Sequence, residues 1–366
     1  MTDRVRDWGD AETVLAVRLD AMGDLLMTEP AIRALAESKP GRRVTVLTSP
    51  AGAAAAALFP RVDGVIVYEA PWMKATGPRT NSRPDFDQIE RLAWERFDAA
   101  VIFTVYSQNP LPAALLLTMA GIPLRLAHCR ENPYQLLTNW VKETEPENGV
   151  RHEVRRQLDL VAGVGCRATD ERMRVRIPDE AADRIRQTLR WLDLDSERSW
   201  AVVHPGASAP SRRYPPRLFA EACRELTTRH GVRLLFTGDE AELPLVDEIR
   251  DGLGVPSDSL AGELNLGEMA ALLAAAPLLI ANNTGPVHLA AAVGTPVVDL
   301  YALTNPQHTP WMVPCRVLNH DVPCRNCYKS VCPEGHHDCL ARVPAGAVVR
   351  AALDLMAPRP IPSLAR

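Results

Sequence analysis

No stretch of this chain is apolar for long enough to cross a bilayer. Residues 51–59 are too short, and 111–127 is interrupted by Pro112, Pro123 and Arg125. The sequence also lacks an excess of positive charge. Its 41 Lys and Arg stand against 45 Asp and Glu, for a formal charge of −4, which argues against a general nucleic-acid binder. A secretory signal is missing too, because the first dozen residues are polar and partly acidic. These absences point to the cytoplasm. Attachment to the inner face of the plasma membrane stays open, since a surface patch would suffice. What is present is core material. Of 366 residues 46% are hydrophobic, enough for two domains rather than one.

The order of elements explains how that material is used. Residues 14–19 form an apolar strand, 20–24 a turn, and 25–38 a helix with Leu25, Leu26, Ile32 and Leu35 on one side; 43–48 is the next strand. This is a strand–turn–helix–strand unit of a parallel sheet. Strands at 62–68 and 99–104 and helices at 51–58, 112–120 and 152–162 continue it, with 72–83 a polar loop. After Pro178 the pattern restarts: strand 200–204, a turn at Gly206, helix 216–229, strand 233–237, helices 243–250 and 266–275, and strand 278–281. The expected architecture is α/β, with two Rossmann-like doubly wound lobes, 1–178 and 179–366, facing across a cleft. Ligands should bind at the carboxyl ends of the strands.

Several turns at those ends carry chemistry. The strand at 278–281 breaks at Asn282-Asn283-Thr284-Gly285-Pro286, and an Ala-rich helix follows. Pro286 suits a first helical turn, Gly285 allows close approach of a ligand, and the free N–H groups there favour phosphate. An ordinary capped turn is the plain alternative. His204-Pro205-Gly206-Ala207-Ser208, followed by Ser211-Arg212-Arg213-Tyr214-Pro215, offers a second anion cradle. Thr237-Gly238-Asp239-Glu240 places a carboxylate where ribose hydroxyls could be held, or where a helix is capped. In the first lobe Asp20 and Asp24 flank Gly23. A carboxylate there can deprotonate an attacking hydroxyl, and Asp24 can equally cap the helix it begins.

Together these segments resemble glycosyltransferase family 9, the heptosyltransferase family, over nearly the whole chain. The matching stretches are Arg18-Leu-Asp-Ala-Met-Gly-Asp24, His204-Pro-Gly-Ala207 with Ser211-Arg-Arg-Tyr-Pro215, Gly238-Asp-Glu-Ala-Glu242, and Asn283-Thr-Gly-Pro-Val-His288 running on to Pro296. The resemblance implies a two-lobed (GT-B type) inverting glycosyltransferase. Its N-terminal lobe would bind the acceptor, and its C-terminal lobe a nucleotide-diphosphate sugar, with ADP-heptose expected. Asp24 then matches the general base. Arg212 and Ser208 match positions that hold the diphosphate. Glu240, or less well Glu242, matches the ribose-binding acid, and Leu264 lies near the adenine contact. Thr284, Gly285 and Pro286 match the phosphate loop, whose motif includes His288. Asn283 departs from an acidic residue implied to contact the donor sugar, and its amide can donate as well as accept. Asp20 replaces a small residue, where it would tune Asp24 or bind acceptor. Lys74, Arg79 and Arg83, with Arg125, His128 and Arg130, are candidate contacts for an anionic saccharide or glycolipid acceptor such as lipopolysaccharide core; a solvated surface is the alternative for each. No cofactor is expected for catalysis. A sugar-nucleotide epimerase and a non-catalytic nucleotide-sugar binder are the rival readings.

Cys129, Cys166, Cys223 and Cys315 are scattered and read as reduced apolar residues. Cys324, Cys327, Cys332 and Cys339 instead share one loop with His336 and His337. A structural zinc is the first expectation. Disulfides, free thiols and, last, an iron–sulfur cluster are the alternatives, and a metal- or redox-sensing role would follow from them.

Overall fold

A computed structural model describes residues 7–194 and 199–357. The N-terminal segment read above begins outside them. The chain forms two compact units, Met1–Arg176 and Ile177–Arg366.

The first unit contains β1 (Thr13–Arg18), α1 (Met22–Glu37), β2 (Arg43–Thr48), α2 (Pro50–Ala56), β3 (Gly64–Val67), α3 (Arg83–Glu95), β4 (Ala99–Ile102), α4 (Leu111–Met119), β5 (Leu124–Cys129), β6 (Asn139–Lys142) and α5 (Glu153–Ala162). Its six strands run parallel in the order β3-β2-β1-β4-β5-β6. β4 and β5 are buried along their whole length, and β1 at all but its first residue. They can be apolar on both faces because helices cover the sheet on both sides. Leu15, Val17 and Ile102 of the sheet join Leu92 of α3 and Ala114 and Leu117 of α4 in one core. α1 is buried from Leu25 to Leu35 and packs against α5.

The second unit begins with α6 (Asp179–Trp191). It continues through β7 (Trp200–His204), α7 (Pro216–His230), β8 (Arg233–Phe236), α8 (Leu243–Leu253), β9 (Asp258–Ser259) and α9 (Leu266–Ala275). After these come β10 (Leu279–Asn282), α10 (Gly285–Val293), β11 (Val297–Leu300), β12 (Cys315–Leu318), α11 (Asp338–Ala341) and α12 (Ala345–Met356). Its strands are again all parallel, in the order β12-β11-β10-β7-β8-β9. α3, β6, β9, β12, α11 and α12 were not anticipated from sequence.

Strand order locates the sites. In the first sheet the order reverses between β1 and β4, and in the second between β7 and β10. Loops leaving adjacent strands at such a reversal part company and open a crevice for ligand. The segments after β1, β7 and β10 are the ones singled out above. Among the described residues no helix is long and apolar enough to cross a membrane.

Candidate active site

In the first unit the crevice is built around a cation. Arg18, the last residue of β1, is fully buried and meets three carboxylates. Its Nη1 donates a hydrogen bond to Glu153 Oε1 at 2.7 Å. Its Nε lies 2.8 Å from Asp20 Oδ2 and its Nη2 3.4 Å from Asp24 Oδ1, as ion pairs without hydrogen-bond geometry. Burial opposes the charge on Arg18, yet Asp20, Glu153 and Asp24 together hold its pKa above the usual value. Glu153 opens α5, where Gln157 also donates to it at 2.6 Å. His152 caps that helix by accepting from the Val154 N–H.

Asp24 lies in the first turn of α1, but the cap position is Ala21 and no side chain caps this end. The Asp24 carboxylate faces Arg18. It is 20% exposed, so solvent reaches it while Arg18 holds one oxygen. Asp20 is more enclosed, at 11%. Arg18 engages one of its oxygens, and Gln108, from the loop after β4, donates to the other. Burial pushes the Asp20 carboxyl up to about 6; Arg18 works against that shift and Asp24 adds to it.

The proposed acceptor contacts do not behave alike. Lys74 is exposed in the loop before α3. Arg79 is paired with Asp85 at 2.6 Å and lies over the Tyr68 ring, so its charge is already answered. Arg83 pairs with Asp87, and Arg130 with Glu147, at the surface. Arg125 requires correction as an acceptor contact. It is buried, and its guanidinium donates to the carbonyls of Leu136, Gln135 and Ile122. Its donors hold a loop in place instead of facing a ligand. His128 is likewise buried against the Arg156 carbonyl, and burial pulls its pKa down to about 4.

In the second unit the loops after β7 and β10 are tied together. The Asn282 side chain donates to the Pro205 carbonyl at 2.6 Å and accepts from the Tyr214 N–H at 2.9 Å. One residue thus sets the spacing between the Gly206–Arg213 segment and the start of α10. Thr284 occupies the cap position of α10, and its hydroxyl turns back to the Asn282 carbonyl instead of capping. The positive end of such a helix favours an anion. Gly285 and Pro286 are half-buried there, and His288 is buried one turn on, its ring 6.4 Å from that of His308. Asn283 is buried and turned inward, donating to Asp299 and to the His308 carbonyl.

Ser208 is exposed and Arg212 half-buried. Among the described residues no carboxylate pairs with the Arg212 guanidinium, whereas Arg213 donates to the Ala207 carbonyl. Glu240 is exposed in a short turn. Glu242 reaches inward instead: it closes a capping box with Asp239, and its carboxylate lies where a Cβ on Gly206 would fall, 2.0 Å away. Burial pushes the Glu242 carboxyl up. Its contact with His204 Nε2, at 3.6 Å, is not an ion pair near neutral pH, because burial pulls that imidazole down to about 4. Leu264 lines an open pocket of about 330 Å³ with Arg184, Trp191 and Leu260.

Cys324, Cys327, Cys332 and Cys339 all line one cavity of about 20 Å³ beside Ser211, with His336 and His337. All four are free thiols. The donor set suits one tetrahedral thiophilic ion. Among the described residues, no three such groups already stand in metal-binding geometry, so an ion would have to draw the thiols inward.

Comparison with known proteins settles the family. The model of glycosyltransferase family 9 (heptosyltransferase) matches residues 88–337. The chain belongs to glycosyltransferase family 9. A stretch of 140 residues is 32% identical to lipooligosaccharide heptosyltransferase 2 of Haemophilus influenzae, covering 36% of this chain and 40% of that protein. Lipopolysaccharide heptosyltransferase 1 of Pseudomonas aeruginosa is 26% identical over 327 residues, 87% of each chain. Among solved structures, a family 9 glycosyltransferase from Veillonella parvula superposes with a TM-score of 0.77 at 20% identity, covering 95% of this chain and 98% of that one. An E. coli heptosyltransferase with ADP-2-deoxy-2-fluoro heptose does so at 0.65 and 19%, covering 92% and 98%. The fold is the GT-B type of these structures, and the chain is a transferase of the glycosyltransferase class.

Arg18 stands in the first matching stretch with no role assigned to it, and Glu153 lies in the helix expected at 152–162, also without one. Arg18 and Asp20 are two residues apart at a strand end, a spacing that puts them on one face. Gln108 and Asp299 carried no local signal.

Proposed function

We propose that this family 9 enzyme is an inverting heptosyltransferase. It moves a heptose from a nucleotide-diphosphate donor, ADP-heptose, to a hydroxyl of a saccharide acceptor such as lipopolysaccharide core, at the inner face of the plasma membrane. The observation that carries this reading is the junction of the β7 and β10 loops, where the Thr284 side chain does not cap the start of α10 and, among the described residues, no carboxylate pairs with the Arg212 guanidinium. That chemistry suits a leaving diphosphate, and the E. coli structure named above contains an ADP-sugar analogue.

In the reaction, the acceptor oxygen attacks the anomeric carbon as the bond to the diphosphate breaks. Asp24 accepts the acceptor proton, and direct displacement inverts the configuration. Arg212, the Ser208 hydroxyl and the N–H groups opening α10 take up the charge that grows on the diphosphate, with no catalytic metal needed. Glu240, or less well Glu242, holds the ribose hydroxyls. The four clustered thiols hold a structural zinc ion beside Ser211, the residue before Arg212.

The test is a donor screen by calorimetry with ADP-, GDP-, UDP- and dTDP-sugars, followed by transfer assays with Asp24→Asn. We expect ADP-heptose to bind most tightly. Asp24→Asn should lose about 10²- to 10⁴-fold in turnover while donor affinity stays nearly intact. A variant that keeps most of its turnover would remove Asp24 from the mechanism.

A further inference from the structure

Asn283 stands one residue beyond β10, and its main-chain N–H donates to the Leu300 carbonyl of β11 at 3.2 Å. Both hydrogens of its side-chain amide are spent inside the unit. Nδ2 donates to Asp299 Oδ2 at 2.9 Å and to the His308 carbonyl at 2.8 Å. That carbonyl is itself held in place. The His308 N–H donates to the Tyr301 hydroxyl at 3.2 Å, and the hydroxyl donates to the Asn305 carbonyl at 2.6 Å. Turning the Asn283 amide over would set its oxygen against the His308 carbonyl, two acceptors with no hydrogen between them. The amide is therefore locked, and its oxygen is the one polar atom left over. It has no donor among the described residues, and it lies next to Thr284 at the start of α10.

Asp299 has no other evident task. It is 0% exposed, and its second oxygen lacks a hydrogen-bond partner among the described residues. A carboxyl buried with one polar contact costs stability.

We propose that Asp299 is a positioning residue for donor recognition. With the His308 carbonyl it fixes the Asn283 amide so that a neutral oxygen acceptor meets the donor sugar, favouring a sugar with a free hydroxyl at that point. The inference rests on the donor-site reading given above. A neutral hydrogen bond of this kind is worth about 3- to 10-fold in affinity.

The experiment is calorimetry of the full chain with ADP and with ADP-heptose. Asp299→Ala and Asn283→Ala should each weaken ADP-heptose by about 3- to 10-fold and leave ADP unchanged. The double variant should lose no more than either single one, because both remove the same contact. Asp299→Asn keeps a side-chain oxygen for the Asn283 amide and should recover most of the loss. Equal losses for ADP and ADP-heptose, additive losses, or native affinity in Asp299→Ala would overturn the proposal. If thermal melting shows Asp299→Ala unfolded, Asn283→Ala and Asp299→Asn decide: native ADP-heptose binding by the first, or no recovery in the second, overturns it. A native chain that binds neither ligand instead sinks the donor-site reading, and this proposal with it.

Discussion

Replacing Arg18 by Met isolates the charge at the centre of the first unit. The methionine keeps most of the buried apolar contact and removes the guanidinium that faces Asp20, Asp24 and Glu153. At an effective dielectric of about 20, a contact at about 4 Å is worth roughly 4 kcal/mol. Desolvation of the guanidinium takes back much of the sum of three. Breaking such a buried cluster from one side costs about 3–5 kcal/mol, because the other charges stay behind. The pH dependence separates this cause from lost packing. Without Arg18 the Asp20 carboxyl has a folded-state pKa further above its unfolded one. Asp20 already titrates near 6 with Arg18 present. A raised acid pKa means that the folded state binds the extra proton, so stability falls as pH rises from about 4 through the folded value. The deficit of Arg18→Met should be largest near pH 8 and should shrink by at least half near pH 5. Urea melts of both proteins across that range measure it. A deficit that is the same at pH 5 and pH 8, or below about 1 kcal/mol throughout, would refute the electrostatic account.

Arg212→Ala should weaken ADP binding by about 10- to 100-fold, the worth of a hydrogen bond to a charged group, while thermal stability stays near native; calorimetry and melting read the two. Gly206→Ala should evict the Glu242 carboxylate, 2.0 Å from the new methyl, and break its capping box at a cost of about 1 kcal/mol, seen in chemical denaturation. The thiol cluster should carry about one zinc per chain by elemental analysis, lost in Cys324→Ser with Cys327→Ser; full native metal content in that variant would place the ion elsewhere.

Both sheets were legible in the sequence because their central strands are short, apolar and nearly all buried, and because β1, β7 and β10 are each followed by a glycine-bearing turn. The segments that escaped have physical reasons to be faint. α3 buries only Gln88 and Leu92 and exposes Trp94, so its apolar stripe is one residue wide. β6 alternates half-buried and exposed residues at a sheet edge. α12 is different, since Val348, Val349, Ala352 and Leu355 carry a helical spacing that can be read. At the site, Asp24 could be picked out by its turn, but its ion pair with the buried Arg18 could not, because that depends on how the end of β1 and the start of α1 pack. Arg125 misled for a general reason: an arginine in a sequence advertises charge, and only the fold shows that its donors are consumed by three carbonyls.

The same topology serves two opposite electrostatic ends. At the first reversal of strand order three carboxylates surround one guanidinium, so the crevice is anionic. At the second, Arg212 and the start of α10 make it cationic. A diphosphate is therefore drawn to one crevice and repelled from the other, which on the proposed mechanism would sort donor from acceptor before any sugar is recognised. On the proposed mechanism the anionic side would also restrict the acceptor: a phosphate or carboxylate on it must lie away from the attacked hydroxyl, because Arg18 is already shared among three acids.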